Sequence, residues 1–63
     1  MDFTVLRNVR KQHKLKQEEV AKAAAISQPY LSAIERNNRQ PSVKDVESIC
    51  IVLGLELVII QRP

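Results

Sequence analysis

Between Gln17 and Arg36 the small and apolar residues fall at intervals that suit two short helices crossing at a tight turn. Val20, Ala24, Ile26, Leu31 and Ile34 stand where buried contacts are needed, Ala21 leaves clearance at the crossing, and Ser27 is placed to cap the second helix. The flanking segments continue the helical pattern. Asp2 is placed to cap a first helix running to about His13, with Leu6, Val9 and His13 on one face and Phe3 and Arg10 at its margin. The crossing pair then runs from about Gln17 to Ala24 and from about Gln28 to Arg36. A loop from Asn37 to Pro41 leads to a fourth helix capped by Ser42, with Asp45 in the capping-box place. Val43, Val46, Ile49, Cys50 and Leu53 give that helix one apolar side, and Gly54 stops it.

Composition agrees with a small helical domain. A chain of 63 residues builds one core, and a hydrophobic share of 44% excludes a disordered tail. With one Phe, one Tyr and no Trp, that core has to be aliphatic. Cys50 is the single cysteine, so no disulfide framework supports the fold and a reducing cytoplasm is the expected location. No metal cluster or cofactor site is visible, which leaves dimerisation as the natural support for so small a core. The strongly apolar stretch from Ile49 to Ile60 is broken by Gly54 and Glu56 and is too short to span a bilayer, and nothing resembles a signal peptide.

The pattern changes after Gly54, dividing the chain into a helical domain over 1–54 and a tail over 55–63. Leu55, Leu57 and Ile59 alternate with Glu56, Val58 and Ile60 in a β-branched run, which reads as a strand, with a fifth short helix as the alternative. A lone apolar strand has an open edge. Pairing with its own copy across a twofold axis closes that edge and makes Leu55, Leu57, Val58, Ile59 and Ile60 the dimer seam.

The crossing pair reads as a helix-turn-helix, whose second helix enters the major groove of double-stranded DNA. With Leu31 and Ile34 inward, a step of about 100° per residue turns Pro29, Ser32, Ala33 and Arg36 outward and leaves Gln28 on the flank. Gln28, Pro29, Ser32 and Ala33 are the candidates for base edges. The Gln28 carboxamide can both donate to and accept from adenine, Ser32 discriminates less, and Pro29 and Ala33 offer apolar contact, for example to a thymine methyl. Lys16, Gln17, Arg36, Asn38, Arg39 and Lys44 are the candidates for phosphates, Gln17 through the amino end of its helix. The bland alternative is that these are solvated side chains on an ordinary surface helix, and a formal charge of +3 is only modest support for an anionic partner. Arg10 and Glu35 lie at the edges of two apolar stripes and are expected to pair in a structural role. An enzyme is the least expected class: His13 has no evident acid partner, Cys50 no evident base, and no glycine-rich phosphate loop is present.

Taken together, Leu6, Arg10, Leu15, Gln17, Val20, Ala21, Ile26, Ser27, Leu31, Ile34, Glu35, Pro41 and Leu53 resemble the Cro and phage-repressor type of helix-turn-helix, the XRE family, over roughly Leu6 to Leu53. The resemblance implies an all-α, lambda-repressor-like bundle of four helices and a dimeric transcriptional repressor. It also implies a phosphate contact by Gln17, Gln28, Pro29, Ser32 and Ala33 facing the bases, and an Arg10–Glu35 pair. The chain departs from the pattern at Lys16, where Ser or Thr usually caps, and at Lys14, Ala25 and Asn37, where glycine is common. The ending is similar to that of the HipB-type antitoxins, which implies a kinase-like toxin as a further partner. A protein-interaction module on the same scaffold, with incidental DNA binding, is the rival from another class.

Overall fold

The computed structural model describes residues 2–54, and within them the chain forms four α-helices and no strand. These are α1 (Thr4–Gln12), α2 (Gln17–Ala23), α3 (Gln28–Glu35) and α4 (Val43–Leu53). The strand and dimer seam expected at Leu55, Leu57, Val58, Ile59 and Ile60 lie outside the described residues. Helices α1 and α2 each pack against both α3 and α4. The shared core consists of Leu6, Val20, Ala21, Ala24, Leu31, Ile34, Val46, Ile49, Cys50 and Leu53, with Phe3, Val9, Leu15, Ile26, Tyr30 and Val52 packed around it. Ala21 is buried at the α2 crossing, where its small side chain lets the helices approach.

Three of the four helices end in the same way, and two of those endings carry strain. After α1, the Leu15 amide bonds the Arg10 carbonyl at 3.1 Å and the Lys14 amide bonds Lys11 at 3.0 Å. After α2, Ile26 bonds Ala21 at 2.9 Å and Ala25 bonds Lys22 at 3.1 Å; after α3, Asn38 bonds Ala33 at 2.8 Å and Asn37 bonds Ile34 at 2.9 Å. This is the Schellman arrangement, and it needs a left-handed residue at its pivot. The pivots are Lys14 (φ 57), Ala25 (φ 61) and Asn37 (φ 60), the three positions at which the family resemblance expects glycine. Asparagine tolerates that region, whereas lysine and alanine pay the clash of Cβ with the following carbonyl. The two turns beside the core recover part of the cost by sending Leu15 and Ile26 into it. Gly54 (φ 72) ends α4 without that penalty.

The helix starts depart from expectation in detail. Asp2 stands one residue before the cap position, which Phe3 occupies in an α-region conformation, and its carboxylate serves the start of α1 by accepting from the Thr4 amide at 3.0 Å and the Thr4 hydroxyl at 2.8 Å. Such a two-residue turn is a common alternative for aspartate. At α2, Lys16 stands in the cap position but its ammonium has no acceptor, so only the reciprocal half of a capping box forms, from Lys16 N to Glu19 Oε1 at 2.7 Å. Ser27 and Ser42 cap α3 and α4 by accepting from the Tyr30 and Asp45 amides at 3.2 and 3.1 Å. Asp45 does not complete the box expected at α4: its carboxylate takes the Tyr30 hydroxyl instead, at 2.6 Å.

Two apolar-face assignments are also corrected. His13 is exposed, because it follows the last turn of α1 and the chain there has already begun to reverse. Val43 is 59% exposed, since the first residue of α4 projects beyond the core that Val46 reaches. Because the Ala25 pivot combines strain with an exposed side chain, we expect Ala25→Gly to raise unfolding stability by about 0.5–1 kcal/mol, the relief of left-handed strain less the extra freedom of an unfolded glycine. Chemical denaturation checks this, and a lower midpoint would show that the alanine is not strained.

Candidate nucleic-acid interface

A chain of polar contacts runs from the interior to the outer face of α3. Arg10, in the last turn of α1, donates from Nε to Glu35 Oε2 at 2.8 Å and from its second terminal nitrogen to Glu35 Oε1 at 3.0 Å. Its remaining nitrogen donates to the Leu15 carbonyl in the turn before α2 at 3.0 Å. The side chains are 10% and 2% exposed, so this is a buried, two-pronged ion pair. Glu35 Oε1 also accepts from Gln17 Nε2 at 3.1 Å, and Gln17 Oε1 accepts from Gln28 Nε2 at 3.3 Å. The expected Arg10–Glu35 pair is therefore present, and it is continuous with Gln17 and Gln28, both candidates for DNA contact.

Gln17, the phosphate candidate at the amino end of α2, has a half-buried side chain tied to α3 at both polar atoms, with one N–H of the amide left over. That contact links Gln28, at the start of α3, to Gln17. On the outward face, Gln28 and Pro29 are exposed, while Ser32 and Ala33 are half-buried. Lys16, Arg36, Asn38, Arg39 and Lys44 are all exposed. Glu35 closes α3 where the helix dipole disfavours a carboxylate, which makes the Arg10 guanidinium essential to the local charge balance.

Two sets of contacts join elements that the sequence pattern leaves separate. Tyr30, in the first turn of α3, donates its hydroxyl to Asp45 Oδ2 in the first turn of α4, and its ring carries the Arg39 guanidinium 5.1 Å from the centroid. The Asp45 hydrogen bond, followed by burial, pushes the Tyr30 phenol above its usual range. Asn37, the pivot after α3, accepts from the Phe3 amide and donates to Asp2 Oδ1, both at 2.9 Å, so it fastens the start of α1 to the loop after α3. That side-chain bond, with those from Thr4, holds the Asp2 carboxyl at about 2. Neither contact follows from periodicity, since each joins residues on different elements. Cys50 sits in the core, as expected of a small apolar side chain, and burial raises its thiol. Among the described residues no cluster has the makings of a metal site, and no helix is long and apolar enough to cross a membrane.

The sequence profile of the helix-turn-helix family HTH_3 matches residues 6–60, nearly the whole chain. The chain belongs to that family, the Cro/C1 type of helix-turn-helix. Among curated relatives, it is 39% identical over 57 residues to the ImmF control region 10 kDa protein of Bacillus phage phi105, covering 90% of this chain and 63% of that protein. It is 38% identical over 50 residues to the HTH-type transcriptional regulator DdrOP3 of Deinococcus deserti, covering 79% and 39% of the two. The immunity repressor protein of Bacillus phage phi105 is 35% identical over 52 residues, covering 82% and 36%. The chain thus spans from about a third to just under two thirds of the length of these relatives. Among solved structures, the wild-type restriction-modification controller protein C.Esp1396I superposes with a TM-score of 0.81 at 29% identity, covering 92% of this chain and 78% of that one.

In this HTH_3 domain the Arg10–Glu35 pair joins three helices, and removing one partner leaves the other buried without a counter-charge. We expect Arg10→Met to lower stability by about 3–5 kcal/mol and Arg10→Met with Glu35→Leu to recover a large part of that loss. Urea unfolding followed by circular dichroism reads both. An Arg10→Met midpoint equal to wild type would mean that the pair contributes nothing to holding the helices.

Proposed function

We propose that the chain is a sequence-specific, double-stranded-DNA-binding transcriptional repressor that acts as a homodimer on a near-palindromic operator. The observation that carries this is the first turn of α3, where Gln28 and Pro29 are exposed and Gln28 is held by Gln17. A carboxamide fixed in this way meets adenine with less ordering cost than a free one. Ser32 and Ala33 line the same face more deeply, so direct readout is narrow and the shape of the duplex contributes to specificity.

Lys16, Arg36, Asn38, Arg39 and Lys44, with the leftover N–H of Gln17, are the phosphate ligands in this reading, and all five named with them are exposed. A helix of eight residues covers few base pairs. Two copies about 34 Å apart read two half-sites, which is the reason for a dimer. The family context fits: relatives include an immunity repressor and a transcriptional regulator, and a structural neighbour is a controller protein. The further role of antitoxin to a kinase-like toxin rests on Leu55 to Ile60, outside the described residues, and nothing on the described surface favours it.

With about six phosphates neutralised per dimer, we expect operator affinity to fall with salt at a log-log slope near −5. Gln28→Ala combined with Ser32→Ala should reduce the preference for operator over random duplex by about tenfold or more while leaving that slope unchanged. Fluorescence anisotropy across a salt series measures both, and a slope near zero would show that the helix-turn-helix serves protein contact instead.

A further inference from the structure

Arg39 lies in the loop that leaves the carboxyl end of α3, yet its charge is found at the amino end. The reason is Tyr30. The Arg39 guanidinium sits 5.1 Å from the centre of the Tyr30 ring, and Tyr30 belongs to the first turn of α3, two residues after Gln28. The ring cannot easily swing away with its passenger. Its hydroxyl is anchored on Asp45 Oδ2 at 2.6 Å, its backbone amide on Ser27 Oγ at 3.2 Å, and Asp45 is itself fixed by its amide on the α4 cap Ser42 at 3.1 Å. Tyr30 and Asp45 hold equivalent places, each the residue whose amide bonds the capping serine, so the two helix starts are bolted to each other through their third residues.

We propose that Tyr30 is a positioning residue for DNA binding: its ring stores the exposed Arg39 beside the first turn of α3, as a phosphate ligand already in place when the helix enters the groove. This rests on the repressor reading above and extends it by naming the residue that sets one phosphate contact. An arginine on a loop ordinarily loses its rotamer freedom on binding a phosphate, and one already stacked on an aromatic face has lost part of it in the free protein. The guanidinium carries five N–H donors and makes no hydrogen bond to the ring, so the contact at 5.1 Å leaves N–H groups for a phosphate.

The test is a double-mutant cycle on DNA affinity at fixed salt, with Tyr30→Leu, Arg39→Ala and the two combined, all at a temperature where circular dichroism shows each variant folded. Tyr30→Leu should weaken binding by about 2- to 5-fold, the range of an exposed cation–π contact. Arg39→Ala should weaken binding and lower the magnitude of the salt slope by about one per protomer. Tyr30→Leu should weaken binding less in the Arg39→Ala background than in the wild type, a coupling that a tyrosine acting only through the Asp45 tie would not give. Tyr30→Phe keeps the ring and should stay within about twofold of wild type at the same salt. Additive effects of Tyr30→Leu and Arg39→Ala would overturn the proposal and leave the repressor reading intact, whereas a wild-type protein with no salt-dependent DNA affinity would overturn both. If Tyr30→Leu does not fold, the free wild-type protein decides: the Arg39 side-chain methylene protons should show upfield ring-current shifts by NMR, and random-coil shifts there overturn the proposal.

Discussion

Arg10 and Glu35 are the charged residues that the described part of the chain buries, and they do so at the junction of α1, α2 and α3. Burying two charges is expensive, and an ion pair of this kind adds little net stability over a well-packed apolar substitute. Its worth lies in geometry. The guanidinium spans from the last residue of α3 to the carbonyl of Leu15 in the turn between α1 and α2, and the carboxylate reaches the first residue of α2 through Gln17. No buried side-chain nitrogen or oxygen among the described residues lacks a partner, so the network is complete where it leaves water. An arrangement with α1 rotated or α3 displaced would strand a charge, and that penalty selects one packing of the three helices.

The consequence reaches the surface through α3, which is held at both ends and in the middle. Glu35 ties its carboxyl end to Arg10, Tyr30 ties its amino end to α4 through Asp45, and Leu31 and Ile34 are fully buried between them. A helix of eight residues has little stability of its own, so its outward face is rigid only because the contacts behind it are. The fold spends some of its stability elsewhere, on the left-handed Lys14 and Ala25.

Most of this framework is legible in the sequence because it is local or periodic. Leu6, Val20, Leu31, Ile34, Ile49 and Leu53 recur at helical spacing, Ser27 and Ser42 have the chemistry of caps, and all take the expected places. The misses have a common character. His13 and Val43 match the apolar period but lie at helix ends, where the chain has left the core face. Asp45 carries the right side chain for a local capping box, yet the Tyr30 hydroxyl competes for its carboxylate and wins. The contacts of Gln17 with Glu35 and Gln28, and of Arg39 with the Tyr30 ring, join different elements and have no signal in the sequence pattern. Periodicity locates a residue on its own helix; it is silent about which side chain of another helix arrives opposite.

In the proposed function, the exposed first turn of α3 is the surface that meets DNA. The most direct measurement is a titration of isotope-labelled protein with a short mixed-sequence duplex at low ionic strength, followed residue by residue in amide NMR spectra. We expect the largest shift changes at the amides of residues 28–33, at the side-chain amides of Gln17 and Gln28, and at the side chain of Arg39. Changes confined to the outer side of α4 around Glu47 and Ile51, with α3 silent, would contradict that claim.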